Sequence, residues 1–277
     1  MKINTLIEYI EEIKSVQFSE DEILLFRGHS DKNFILLPAI LRDDNLKKRE
    51  DEIYHDIMID YPNEFKKNEH LSNLVKIQHF GSSTRLLDVT RNMLIALYFA
   101  VEDSKDKDGE VIVFKIKKSE MLHHASDKAL ILSCLPALSY EDREAIKDYC
   151  KENPDEVIRD RDLKNNLALT HLLHEIRGEF PAFETCIETN HLLNNYFVAA
   201  RKDNERMQRQ DGAMIIFGLG DVNLNHFIQK RITVYSSCKD EILHDLKICN
   251  INSSTIYPGI ERGLLLLRDK RLTSIPI

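Results

Sequence analysis

Leu6, Ile10 and Ile13 recur at helical spacing, which predicts a helix over residues 3–17. The stretch DEILLFRG, residues 21–28, has the length and bounding of a buried strand, with Gly28 as its stop. NFILLPAILR, residues 33–42, reads as a second short strand or extended piece ended by Pro38. Residues 44–60 are polar with apolar positions at helical intervals, and Pro62 opens a further helix as far as His79, where Gly-Ser-Ser breaks it. From Met93 to Val101 every residue is apolar, so residues 91–102 are expected to form a buried helix, with Asp88 or Thr90 as N-cap.

The second half begins with the clearest strand, an Asp-Gly turn followed by Val111 to Ile116. Residues 119–190 look mostly helical and weakly patterned, and HLLNNYFVAAR, residues 191–201, is read as a strand leading to Arg201. NERMQRQDG, residues 204–212, reads as a helical turn. AMIIFG (213–218) and RITVYS (231–236) read as strands, and residues 239–247 as a helix. From residue 253 a short strand, a turn and a last helix are expected. Helices and strands mix without strict alternation, which predicts an α+β fold: a small, mixed, largely antiparallel sheet surrounded by helices. The expected organisation is one domain over residues 1–277, with helix 3–17 as an appendage and about 119–190 as a helical insertion.

Composition narrows the class. Hydrophobic residues make up 43% and charged residues 30%, as in ordinary globular proteins. A net charge of −8 argues against a general nucleic-acid coat while leaving room for a local basic groove. Five cysteines, at 134, 150, 186, 238 and 249, include no C-x-x-C pair, so reduced thiols are expected rather than a disulfide scaffold. The acidic, amphipathic first helix is unlike a signal peptide, and no stretch is long enough to span a bilayer. The expected location is the cytoplasm.

Several polar clusters carry candidate chemistry, each with a structural reading beside it. Arg27, at a strand end before Gly28, offers a guanidinium fork to a phosphate or carboxylate, or braces two elements through an internal Asp. In QHFGSSTRLLDVT, residues 78–90, Gly81 and the serines suit an anion-binding turn and His79 an acid or base; alternatively Arg85, Asp88 and Thr90 satisfy one another at a helix start. Neither a P-loop nor a G-x-G-x-x-G is present. Arg206, Arg209, Gln210 and Gly212 precede a buried strand, as ligand contacts or as a solvated turn. His171, His174 and Glu175 share a helix but lack H-E-x-x-H spacing, so no metal is expected. Glu261 follows a Pro-Gly turn at a helix start, favoured there by the helix dipole and also able to face a cleft.

Taken in order, these segments resemble the FRG domain family. The Phe-Arg-Gly motif stands at Phe26, Arg27 and Gly28, followed by Leu37, Pro38 and Arg42. The pattern Gln-His-x-Gly-x-x-Thr-Arg-Leu-Leu-Asp-x-Thr is matched from Gln78 and His79 through Gly81, Thr84, Arg85 and Asp88 to Thr90. A late Asn-x-Arg-x-x-x-Gln-x-Gly segment is matched at Asn204, Arg206, Gln210 and Gly212. The resemblance spans about residues 20–265. Val89 stands where relatives often carry an aromatic, and Gly259 replaces the first acid of the closing motif while Glu261 keeps the second.

Some members of the family are ADP-ribosyltransferase-like, and one kind modifies RNA in a toxin–antitoxin system against phage. The resemblance therefore implies an ADP-ribosyltransferase-like core with NAD as substrate, an RNA or protein acceptor, and an antitoxin partner. It implies Arg27, His79 and Glu261 as catalytic residues. Arg27, Gly28, Gln78, Thr84, Arg85, Asp88 and Gln210 are the implied NAD contacts. The rival readings are a non-catalytic nucleotide sensor and a hydrolase acting on NAD or nucleic acid.

Overall fold

The computed structural model describes residues 1–199 and 209–257. Its strands are β1 (Lys2–Ile3), β2 (Glu22–His29), β3 (Leu86–Thr90), β4 (Gly109–Lys117), β5 (Met121–His123), β6 (Val157–Ile158), β7 (Ile187–Glu188), β8 (Tyr196–Ala199), β9 (Gly212–Ile216) and β10 (Ile228–Val234). The helices named below are α1 (Leu6–Lys14), α2 (Asp44–Lys48), α3 (Glu50–Asp60), α4 (His70–His79), α5 (Met93–Val101), α6 (Asp127–Cys134), α7 (Tyr140–Glu152), α8 (Asp160–Leu163), α9 (Leu167–Glu179) and α10 (Thr189–Leu193). A further helix spans Lys239–Ile248.

Eight strands form one sheet in the order β1-β10-β4-β2-β3-β9-β8-β5, and β6 pairs with β7 apart from it. The outermost pairs, β1 with β10 and β5 with β8, are parallel, and every pair between them is antiparallel. The fold is therefore α+β, as the mixed order of elements predicts. Alternating side chains put Leu25, Leu87, Val89, Ile112, Phe114, Ala213 and Ile215 into one core that spans the sheet on a single face. On the opposite face, α1, α5 and the helix Lys239–Ile248 cover one half through residues such as Tyr9, Leu97 and Ile242. Helices α3, α4, α6, α7 and α9 pack as a second layer against Leu86, Met214 and Ile216 on the other half.

The apolar helix α5 packs so closely on the sheet that two positions must be glycine. A Cβ on Gly28 would stand 1.9 Å from the Ala96 carbonyl oxygen, and one on Gly109 2.1 Å from that of Ala100. Gly28 thus admits a helix rather than stopping the strand, which continues to His29.

Four other expectations are corrected. The N-terminal helix is no appendage: Tyr9 is fully buried and its hydroxyl donates to the Met93 carbonyl at 2.8 Å. Residues 33–42 form turns and a short 3₁₀ helix, Ala39–Leu41, not a strand. The helix expected from Pro62 starts at His70, because the Asn73 amide takes the Lys66 carbonyl and holds the preceding loop out of helical register. Asp88 and Thr90 lie on β3, fully laddered to β9, and it is Asn92 that caps α5, accepting the Leu94 N–H at 2.9 Å. The Leu-Asp-Val-Thr alternation is strand-like, and an available neighbouring strand decides in its favour.

Candidate functional site in a split of the sheet

Strand β2 pairs with β4 along its whole length, residue by residue from Glu22 to His29. With β3 on its other side it shares one register pair, Phe26 with Thr90, and there the two strands part. β3 in turn is fully paired to β9. The sheet is therefore split between β2 and β3, and backbone groups along the gap are left for side chains or a ligand to satisfy.

Arg27 bridges that gap. Its Nη1 donates across to the Asp88 carbonyl oxygen at 2.6 Å, and its Nε donates to His29 Nε2 at 3.0 Å. Burial pulls the Arg27 guanidinium down to about 10, with the Asp88 carboxylate acting the other way and Arg42 adding to the decrease. It stays a cation at neutral pH. The nearby His29 ring is driven down to about 3, first by burial and then by Arg27, Arg42 and Arg231, so it is neutral.

Two cavities meet at Arg27 and Asp88. One, of about 220 Å³, is lined by Phe26, Gly28, Thr90, Phe99 of α5 and Gln210 among others. The other, of about 210 Å³, is lined by Arg42, Gln78, Gly81, Ser82 and Thr84. In the first, the Thr90 hydroxyl donates to the Gln210 carbonyl at 2.5 Å, and the Gln210 amide reaches the Ile256 carbonyl at 3.4 Å. In the second, the Thr84 hydroxyl donates to Gln78 Oε1 at 2.5 Å and accepts the Leu86 N–H at 3.2 Å. Gly81, at φ +91°, turns the chain after α4, with the Ser82 N–H closing on the Ile77 carbonyl at 3.2 Å. Arg42 is anchored by Nε on the Leu37 carbonyl at 2.9 Å. The second cavity thus presents two guanidinium groups, hydroxyls and an amide, a donor set suited to phosphate oxygens.

Arg27, Gly28, Gln78, Thr84, Asp88 and Gln210 are accordingly brought together. Arg85 is not with them. It is buried, with Nε and Nη2 forking onto Glu50 at 2.9 and 2.5 Å and Nη1 on the Phe217 carbonyl at 3.1 Å. Its partner lies 35 residues upstream, out of reach of local spacing, so the bracing alternative holds for Arg85 with a partner the sequence does not indicate. His79 lines a separate cavity of about 540 Å³ with Lys76, Phe80, His124 and Glu179. Glu261, like Arg201, Asn204, Glu205 and Arg206, lies outside the described residues. Three residues of the split are not among the site residues expected from the sequence. Arg42 was visible in the family pattern, His29 in its two-residue offset from Arg27, and Phe99 had no signal beyond the apolar run.

The histidines weighed as metal ligands, His171 and His174, lie on α9. There His171 is hydrogen-bonded to Asp142 at 2.9 Å, and Glu175 approaches His70 at 3.6 Å. Among the described residues no three His, Cys, Asp or Glu side chains are grouped to hold a metal ion, and no helix is long and apolar enough to cross a membrane.

No curated protein and no solved structure matches the chain. The FRG domain family does, over residues 22–109. That span contains both strands of the split and every residue lining the Arg42 cavity. Over residues 22–109 this chain is similar to FRG domains, and the arginine of its Phe-Arg-Gly motif, Arg27, bridges the gap between β2 and β3.

Proposed function

We propose that this chain is an ADP-ribosyltransferase that transfers the ADP-ribosyl group of NAD to a macromolecular acceptor, RNA or protein, and that it serves as a toxin or anti-phage effector restrained by an antitoxin. The observation that carries the reading is the Arg27 guanidinium held in the split, shared by two cavities of different chemistry. Each cavity is below the roughly 300 Å³ of an ordinary ligand site, so a dinucleotide would have to run through both, past Arg27. The Arg42 cavity suits the diphosphate, and the Phe99 cavity a flat ring with its ribose.

In the reaction the bond from ribose C1′ to the nicotinamide nitrogen breaks, and nicotinamide leaves with the electron pair. An acceptor oxygen or nitrogen then bonds to C1′ and gives up its proton. The transition state carries positive charge on the ribose, which a carboxylate nearby stabilises. Asp88 is the one carboxylate lining either cavity among the described residues, and Glu261 is the further acid implied by the family resemblance. That single carboxylate favours, as second reading, a nucleotide sensor that binds and does not turn over.

The test uses NAD labelled on its adenylate phosphate, with cell RNA and cell protein as acceptors, and Arg27→Ala and Glu261→Gln beside the wild type. Label on RNA or protein, lost in the variants, is the expected outcome. Nicotinamide release without transfer would indicate a glycohydrolase. Nucleotide binding with no turnover would indicate the sensor, and neither binding nor turnover would refute the NAD reading.

A further inference from the structure

Arg27 and His29 stand two residues apart on β2, so the pleat directs both side chains to one face. His29 is only 3% exposed. Because Nε2 accepts the Arg27 Nε–H, a neutral ring must carry its own proton on Nδ1. That Nδ1 is buried and has no hydrogen-bond partner among the described residues. A buried polar atom left unpaired lowers stability, and a phenyl ring would fill the same space without the loss. The position thus carries a histidine that packing alone does not call for.

What the histidine supplies is an acceptor. Arg27 has five N–H donors in a rigid fork. One is taken by His29 and one by the Asp88 carbonyl, on opposite sides of the gap, and Nη2 makes no hydrogen bond among the described residues. The two fixed bonds define the plane of the guanidinium and leave its Nη edge for the cavities it lines. We propose that His29 is the positioning residue of Arg27, its Nε2 holding the guanidinium in the one orientation that presents the free edge to an anionic ligand in the split. This rests on the reading of Arg27 as the ligand's phosphate-binding group.

The surroundings keep the acceptor available. Arg27, Arg42 and Arg231 all disfavour a proton on the ring, and burial does so more strongly. A protonated ring would have two donors and could not accept from Arg27. The backbone beyond is pinned independently: Lys239 Nζ donates to the carbonyls of Ser30, Asp103 and Ser104 at 2.6, 3.0 and 2.9 Å. Changing the ring therefore acts on Arg27 and leaves the strand end in place.

The experiment follows the arginine Nε–H resonances of the ¹⁵N-labelled full chain, with Arg27→Ala to assign the Arg27 signal, and NAD titrated in parallel by calorimetry. In the wild type the His29 ring should show its proton on Nδ1, with Nε2 unprotonated. In His29→Phe the Arg27 Nε–H should move and lose its protection from solvent exchange, and the NAD dissociation constant should rise about tenfold, a usual scale for a lost charge-assisted contact. His29→Gln, whose amide oxygen can accept the same bond, should restore both. In the Arg27→Ala background, His29→Phe should have no further effect on affinity. A wild-type ring protonated on Nε2, or an Arg27 Nε–H unchanged in His29→Phe, would overturn the proposal. So would an equal loss of affinity in the Arg27→Ala background. Should the wild type not bind NAD, the NAD reading fails, while the two resonance measurements still decide whether His29 positions Arg27; should His29→Phe not fold, the wild-type tautomer and His29→Gln decide it.

Discussion

Replacing Glu50 by Gln removes one negative charge from a buried cluster of three charged side chains. Glu50, Arg85 and Arg143 are 3%, 2% and 2% exposed. Arg85 forks onto Glu50 at 2.9 and 2.5 Å, while Arg143 Nε lies 3.6 Å from the same carboxylate. Arg143 is also tied to the Leu138 carbonyl, to the Lys47 carbonyl at 2.9 Å and to Asp51 at 3.6 Å. The cluster therefore joins the residue preceding β3 to α3 and α7, linking the edge of the strand to the helical layer. Unit charges about 4 Å apart at an effective permittivity of about 20 attract by roughly 4 kcal/mol. The two arginines repel each other, so the second attraction does not add in full. Desolvation of three ions offsets much of the remainder, which is why the intact cluster is a poor source of net stability. Breaking it is different: Glu50→Gln leaves two buried guanidinium groups sharing one neutral amide oxygen, at a cost of about 3–5 kcal/mol. For a chain of this size that lowers Tm by roughly 6–15 °C. Thermal unfolding followed by circular dichroism measures it. A Tm within about 2 °C of wild type would refute the reasoning, since it would mean the charge was not enclosed. The triple variant Glu50→Leu, Arg85→Met, Arg143→Leu should regain much of the loss, because no buried charge then remains unpaired.

Gly28→Ala would force a Cβ to 1.9 Å from the Ala96 carbonyl and 2.8 Å from the Ala100 nitrogen, so α5 must lift from β2, at a cost of about 3 kcal/mol or more. A variant with the urea midpoint of the wild type would contradict that packing. Lys239→Met deprives three carbonyls of one buried ammonium and should cost about 3 kcal/mol, read as a lower Tm; no change would mean that water replaces the amine at no loss. Burial holds His29 down to about 3 and, with His55 adding to it, His70 down to about 4. Between those values and about 6.5 the unfolded chain binds more protons than the folded one, so stability falls as pH drops from 7 to 5, by on the order of 1–2 kcal/mol per histidine. The Glu179 carboxyl, pushed up chiefly by burial, works in the opposite sense. Urea midpoints at pH 7 and 5 should converge in His70→Phe, and an unaltered slope would exclude His70 as a source.

Much of the fold and part of the site could be read along the chain. The runs 22–29, 109–117 and 212–216 are strands as the patterning of DEILLFRG, VIVFKI and AMIIFG says, and Met93–Val101 is the buried helix its composition demands. Local chemistry suffices for these, because an uninterrupted apolar run has few alternatives to the core. Arg27, Gln78, Thr84, Asp88 and Gln210 were identifiable as members of polar clusters within or beside such runs, and family resemblance supplied their grouping. The strand character of Leu86–Thr90 was not legible: five residues of mixed polarity become a strand when β9, more than 120 residues later, offers a ladder. The separate duties of Arg85 and Arg27 were equally hidden. Both are arginines within segments of the family pattern, yet one is enclosed by Glu50 and the other spans a gap. What the sequence by itself determined is which segments are buried and which residues can carry chemistry, since hydrophobicity, backbone propensity and side-chain type are local properties. What only the tertiary structure decided is the parting of β2 from β3 and the choice of partner for each buried charge, because both depend on which distant segment arrives alongside.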